Sequence, residues 1–87
     1  SVAGIDTSGY YNSNMLLVET ERYMMKSADE AIVVADSTKF GHTNLAHVCE
    51  LSEVDTLVVD HAISEDWRSR LIAAGVRLVV AGTTDNA

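Results

Sequence analysis

The chain has 87 residues, 47% of them hydrophobic, with thirteen acidic against six basic side chains and a formal net charge of −7. One small domain fits that length, and the apolar content is too high for compositional disorder. A surface this acidic is a poor match for the nucleic-acid backbone, which is bound by neutralising phosphates with Lys and Arg. No apolar run approaches the ~20 residues needed to cross a bilayer, and no secretory signal pattern is visible. Ser1 rather than Met opens the chain, so it reads as a fragment. The single cysteine, Cys49, excludes an internal disulfide and fits a reducing, cytoplasmic compartment, where it reads as a small buried hydrophobe.

Val2–Asp6 looks like the tail of a strand. Thr7–Asn14 follows, polar, turn-rich and aromatic. It reads as a loop between a strand end and a helix, either a binding loop or an ordinary surface loop. A helix is expected over Leu16–Ala28, with Leu17, Met24, Met25 and Ala28 on or near one face. Ala31–Asp36 is a Val-rich strand. A short helix is expected over Asn44–His47, and Val48-Cys49 reads as a short strand or bridge.

Thr56–Asp60 and Arg77–Gly82 are two further Val-rich strands. Near-continuous apolar strands of this kind belong to parallel sheets buried on both faces. Between them Ser64 is a helix N-cap, with Glu65 and Asp66 in a first turn that favours acidic side chains. Trp67, Leu71 and Ala74 form a core-facing stripe, and Gly75 closes the helix. Residues 56–82 therefore read as strand, helix, strand with a right-handed crossover. The fold class is α/β, a mainly parallel sheet with helices on its faces.

Three of the four strand-like runs end in aspartate: Asp6, Asp36 and Asp60. Ligands of open α/β sheets bind outside the carboxyl ends of the strands, and turn formation is the bland alternative for each Asp. Directly after a strand, Asp36-Ser37-Thr38-Lys39-Phe40-Gly41 offers two hydroxyls, an ammonium and loop amides. Such a set suits a phosphate, although it matches no Walker or dinucleotide motif. His42 and His47 are five apart, a poor spacing for two ligands on one helix face. No cluster has zinc-like spacing, so no metal or cofactor is expected. His61 reads as a polar wall of the crevice or as simply exposed. Trp67 and the Met24-Met25 pair read as core.

The run Ala28-Asp29-Glu30-Ala31-Ile32-Val33-Val34-Ala35-Asp36-Ser37-Thr38-Lys39-Phe40-Gly41 resembles the stretch A-D-x-x-I-x-L-A-D-S-S-K-F-G of DeoR-type bacterial repressors. Val48–Asp60 resembles the same family's segment ending I-D-x-L-I-T-D, and Glu19–Met25 its E-x-x-x-R-x-M-I. Gly4-Ile5-Asp6, Ile63-Ser64 and Ala73–Val76 extend the likeness over essentially the whole chain. The resemblance implies half of a ribose-5-phosphate-isomerase-like sensor domain with a pocket for a phosphorylated sugar. It places Asp6 facing the sugar, Glu19 where the isomerases carry their base, and Lys39 on the phosphate. Thr38 stands for the usual second serine and keeps its hydroxyl, while His42 replaces a frequent arginine.

It further implies that the first half of the sensor and a DNA-binding helix-turn-helix lie outside these residues. A half-sheet would leave an edge in need of cover, so self-association is expected. The leading functional expectation is an effector-binding regulatory domain that is not an enzyme. Its effector would be held by Asp6, Glu19, Asp36, Ser37, Thr38, Lys39 and Asp60. The alternatives are an isomerase- or deaminase-like enzyme fragment, with Glu19 as base, and an oligomerisation module with a vestigial pocket.

Overall fold

A computed structural model describes residues 2–43 and 46–82. In chain order the elements are β1 (Gly4–Asp6), β2 (Gly9–Asn12), α1 (Met15–Ser27), β3 (Ile32–Ala35), β4 (Ala46–Cys49), β5 (Thr56–Asp60), α2 (Glu65–Ala73) and β6 (Arg77–Ala81). They build two three-stranded sheets. One is antiparallel in the order β1-β2-β4, the other parallel in the order β3-β5-β6. The expectation of a mainly parallel sheet thus holds for half of the strands.

The parallel sheet forms where the Val-rich runs predict it. Asp55 ties its leading edge together. Its carboxylate accepts the Ala31 amide (2.7 Å), its amide donates to the Ala31 carbonyl (2.9 Å), and its carbonyl accepts the Arg77 amide (2.8 Å). Strand alternation then splits the side chains. Val33, Leu57, Val59, Leu78 and Val80 turn toward the core, with Leu57 and Leu71 of α2 fully buried. Fully burying each leucine stabilises by about 1.5–3 kcal/mol. The opposite face is only partly covered: Thr56 is buried there, but Ile32 is 58% and Val34 63% exposed. These strands were expected to be buried on both faces, and at Ile32, Val34 and Val79 they are not.

Helix α2 has the limits its caps predict. The Ser64 hydroxyl accepts the Trp67 amide at 3.2 Å, and Asp66 pairs with Arg70 at 3.0 Å across one turn. The chain leaves the helix through Gly75 at φ 84°, where the Val76 amide returns to the Leu71 carbonyl.

The antiparallel sheet departs from the sequence reading. Thr7–Asn14 is not a loop throughout: after a turn at Thr7-Ser8 it becomes β2, with Tyr10 and Asn12 buried and Tyr11 half-exposed. Where a helix was expected over Asn44–His47, the chain from Ala46 is β4, paired with β2. Asn44 and Leu45 lie outside the described residues. Gly9 stands at φ 128° with the Cys49 carbonyl so close that a Cβ would fall 2.0 Å from its oxygen. Only glycine lets β2 approach β4 this tightly.

Helix α1 begins at Asn14, whose side chain accepts the Leu16 amide at 2.9 Å. The face it buries differs from the one expected. Val18 is its buried residue and Met25 packs against the core, whereas Leu17 and Met24 are 50% and 62% exposed. The reason is Arg22. Its guanidinium donates to the carbonyls of Val48 (2.9 Å) and His47 (2.5 Å), which fixes the helix rotation over β4.

Candidate functional site

Asp36 and Asp60 emerge at the carboxyl edge of adjacent parallel strands, β3 and β5. Between them the chain makes a tight 3₁₀ turn over Ser37–Lys39, and the two carboxylates clamp it. Asp36 Oδ1 accepts the Thr38 amide at 2.9 Å and also the Thr38 hydroxyl. Asp60 takes the Ser37 amide on Oδ1 (2.6 Å) and the Ser37 hydroxyl on Oδ2 (3.1 Å). These bonds favour the charged carboxylates. The Thr38 hydroxyl and amide hold Asp36 below the ordinary aspartate value, and the Ser37 amide, followed by its hydroxyl, does the same for Asp60.

The next residues anchor the turn to the rest of the molecule. Phe40 stacks at a tilt on Trp67 of α2, with ring centroids 4.8 Å apart, and Arg70 lies 5.6 Å above the Trp67 ring. Phe40 also bridges to Ile5 of β1, where the Gly41 amide donates to the Ile5 carbonyl at 2.7 Å. Lys39 therefore rises from a turn held by both sheets and by α2.

This bonding corrects one expectation about the loop. The amides of Ser37, Thr38, Lys39, Phe40 and Gly41 are all donated within the protein, to Asp60, Asp36, the Asp36 carbonyl, the Ser37 carbonyl and the Ile5 carbonyl. They form no cradle for an anion. What the loop presents outward is the Lys39 ammonium, and among the described residues no ion pair ties it down.

A cavity of about 530 Å³ opens here, lined by Asp36, Lys39, Asp60, Val34 and Ala35 from the parallel sheet and by Val2, Ala3 and Asn12 from the other. The site thus lies on the seam between the two sheets. Of the residues singled out in sequence, Asp36, Ser37, Thr38, Lys39 and Asp60 come together in this one corner. Asp6 does not share their edge. It ends β1 in the antiparallel sheet, opposite Gly9, and lines none of the cavities described here. His61 is exposed.

Glu19 is also apart. It is exposed on α1 beside a larger groove of about 720 Å³, with Arg22, Lys26, His47, Glu50 and Glu53 around it. Size alone does not make that groove the better anion site, because three carboxylates face it and its Arg22 is spent on backbone carbonyls. Burial raises the Cys49 thiol, in its wall, to about 12, so it is a neutral thiol at physiological pH. Among the described residues no group of three or more His, Cys, Asp or Glu could hold a metal ion, and no helix is long and apolar enough to cross a membrane.

Asn12 is the cavity residue that sequence reasoning missed. Its signal was the alternation of Tyr10 and Asn12 within a segment whose Gly, Ser and Asn content reads as a loop.

Comparison with known proteins adds an independent line. Residues 1–61 match the model of the DeoR C-terminal sensor domain. The L-fucose operon activator of Haemophilus influenzae is 33% identical over 67 residues, covering 76% of this chain and 27% of that protein. A putative aga operon transcriptional repressor of Escherichia coli is 34% identical over 61 residues, covering 70% and 23%. The HTH-type transcriptional repressor GlcR of Bacillus subtilis is 33% identical over 60 residues, covering 69% and 23%. The chain spans about a quarter of the length of these relatives. It belongs to the DeoR C-terminal sensor domain family.

Proposed function

We propose that this chain is the effector-binding part of a DeoR-type transcriptional regulator of carbohydrate metabolism, and that its effector is a phosphorylated sugar. The observation that carries the reading is the clamped turn. Two carboxylates and an aromatic stack present one ammonium, Lys39, at the carboxyl edge of a parallel sheet, inside a cavity of about 530 Å³. Open α/β sheets bind ligands at that edge. The relative named as an L-fucose operon activator supports the same class.

In this reading Lys39 holds the phosphate. Asp36, Ser37, Thr38 and Asp60 keep the turn in shape, and Asp6 and Glu19 contact the effector only if further parts of the protein extend the pocket toward them. Glu19 and Lys39 line different cavities, which supports a sensor over an isomerase, since a general base and the group that holds its substrate must serve one pocket. The protein is read as cytoplasmic, with DNA contacted through a helix-turn-helix outside these residues. Effector binding would shift the balance between states of different DNA affinity. Homo-oligomer formation is part of the reading, supported by the exposed Ile32, Val34 and Val79 on one sheet face.

The test is thermal shift and calorimetry on the full-length protein with a panel of phosphorylated and free sugars. One phosphorylated sugar should bind while its free counterpart does not. Lys39→Ala should weaken it roughly tenfold or more, the scale of one hydrogen bond to a charged group. Unchanged binding in folded Lys39→Ala protein would refute the assignment.

A further inference from the structure

Helix α1 turns Val18, Arg22 and Met25 inward, toward β4 and the core. Its outer side is apolar as well: Leu16 is 77% and Tyr23 72% exposed, with Leu17 and Met24 exposed beside them. At 3.6 residues per turn, Leu16, Thr20, Tyr23 and Ser27 form one ridge. The two hydroxyls in that ridge are satisfied within the helix. Thr20 donates to the Leu16 carbonyl and Ser27 to the Tyr23 carbonyl, each at 3.1 Å. Covering the ridge therefore buries apolar surface without stranding a donor.

The charges beside the ridge identify what covers it. Glu19 and Lys26 are both exposed, stand two turns apart and line the same groove, so they share one flank of α1. The other flank carries Glu21, which is bonded to Asn12. Two identical helices packed antiparallel set like flanks together, whereas parallel packing sets unlike flanks together. Only the antiparallel pair brings Glu19 of one copy to Lys26 of the other. Symmetry makes it do so twice, about a two-fold axis beside Tyr23. Parallel packing would instead set Glu19 against Glu21 of the second copy. Opposed helix dipoles favour the antiparallel arrangement too.

We infer that the outer face of α1 is a homodimer surface whose partner is α1 of a second copy, packed antiparallel through Leu16, Tyr23 and Met24 and closed by reciprocal Glu19–Lys26 ion pairs. This rests on the homo-oligomer part of the reading above and assigns its contact to a helix; it does not depend on the effector.

The experiment is sedimentation velocity on the full-length protein over a range of concentrations, with circular dichroism to verify that each variant folds. Leu16, Glu19 and Lys26 are exposed, so substitution there leaves the core intact. Leu16→Glu should weaken association roughly tenfold or more, because it puts an unpaired charge into the covered ridge. Glu19→Lys and Lys26→Glu each turn two attractive pairs into repulsive ones and should weaken it by roughly fivefold to tenfold, the scale of exposed ion pairs counted twice. Glu19→Lys combined with Lys26→Glu rebuilds both pairs and should return association to within about threefold of wild type. A merely structural role for these residues predicts no such rescue. Charge reversals that leave association unchanged, or that the double exchange fails to rescue, overturn the antiparallel α1 contact and spare homo-oligomer formation, as does Leu16→Glu with wild-type association. A wild-type protein that stays monomeric at every concentration overturns both.

Discussion

Replacing Gly9 with alanine should damage the antiparallel sheet out of proportion to the one methyl group added. Two costs combine. At φ 128° an L-residue sits in a strained region, worth about 1–3 kcal/mol. The new Cβ would also lie 2.0 Å from the Cys49 carbonyl oxygen and 2.8 Å from Glu50 Cα, both backbone atoms that cannot swing aside. Relief requires β2 and β4 to separate, which breaks ladder bonds on either side of Tyr10. Gly75→Ala is the matched control. Its φ is 84°, but nothing lies within 4 Å of the added carbon, so it bears the conformational cost alone, about 1–2 kcal/mol. Gly9→Ala should therefore destabilise by about 2 kcal/mol more than Gly75→Ala, since opening a tight contact costs about 1–3 kcal/mol. Hydrogen-exchange mass spectrometry of the full-length protein, followed on β2 and β4 peptides, reads this directly, because about 1.4 kcal/mol is tenfold in an opening equilibrium. Equal protection of these peptides in the two variants would refute the close approach of β2 to β4.

Two further predictions concern titratable groups. Asp36 and Asp60 have their folded pKa values depressed, so their clamp contributes in full above the unfolded aspartate value near ~3.9 and is lost as pH falls below it. Asp60→Asn should make the acid loss of stability shallower between about pH 5 and pH 2, measured by urea unfolding at a series of pH values; an unchanged slope would show that the clamp is not coupled to folding. Cys49, buried with its thiol raised to about 12, should be alkylated in the native protein only as fast as the domain opens, and mass spectrometry of its peptide should find labelling that rises with urea. Labelling at the rate of a free thiol without urea would contradict the burial.

The parallel half of the fold is legible because its signals are local. Leu57–Val59 is an unbroken apolar run, and α2 is bracketed by Ser64 and Gly75 with Leu71 on the inner face. The antiparallel half is written in partnerships. Val48-Cys49 was read as a short strand or bridge, but the rest of β4 and the whole of β2 are settled only when Tyr11 is set opposite His47, 36 positions away, as 47 − 11 shows. The same cause hides the true inner face of α1, which is fixed by Arg22 reaching the carbonyls of β4 rather than by its own apolar spacing. For the site, Asp36 and Asp60 were readable as strand ends of one sheet and Lys39 as part of the turn that follows the first of them. Asp6 misled because an aspartate ending a strand says nothing about which sheet the strand joins. Asn12 lay within Thr7–Asn14, read as a binding loop or an ordinary surface loop, and was not singled out because its burial depends on β2 forming.

The parallel register also has a consequence in time. Ile32 pairs with Thr56, which is synthesised 24 positions later (56 − 32), and Thr56 pairs with Arg77, another 21 later (77 − 56). At about 5–20 residues per second, β3 leaves the ribosome roughly 1–5 s before its ladder partner β5 has been made. During that interval Ile32, Val33 and Val34 are bare on both sides and along both edges. The β1–β2 hairpin can close at once, but the sheet that carries Lys39 cannot, so nascent chains of this domain are open to wrong partners at the strand that later frames the cavity.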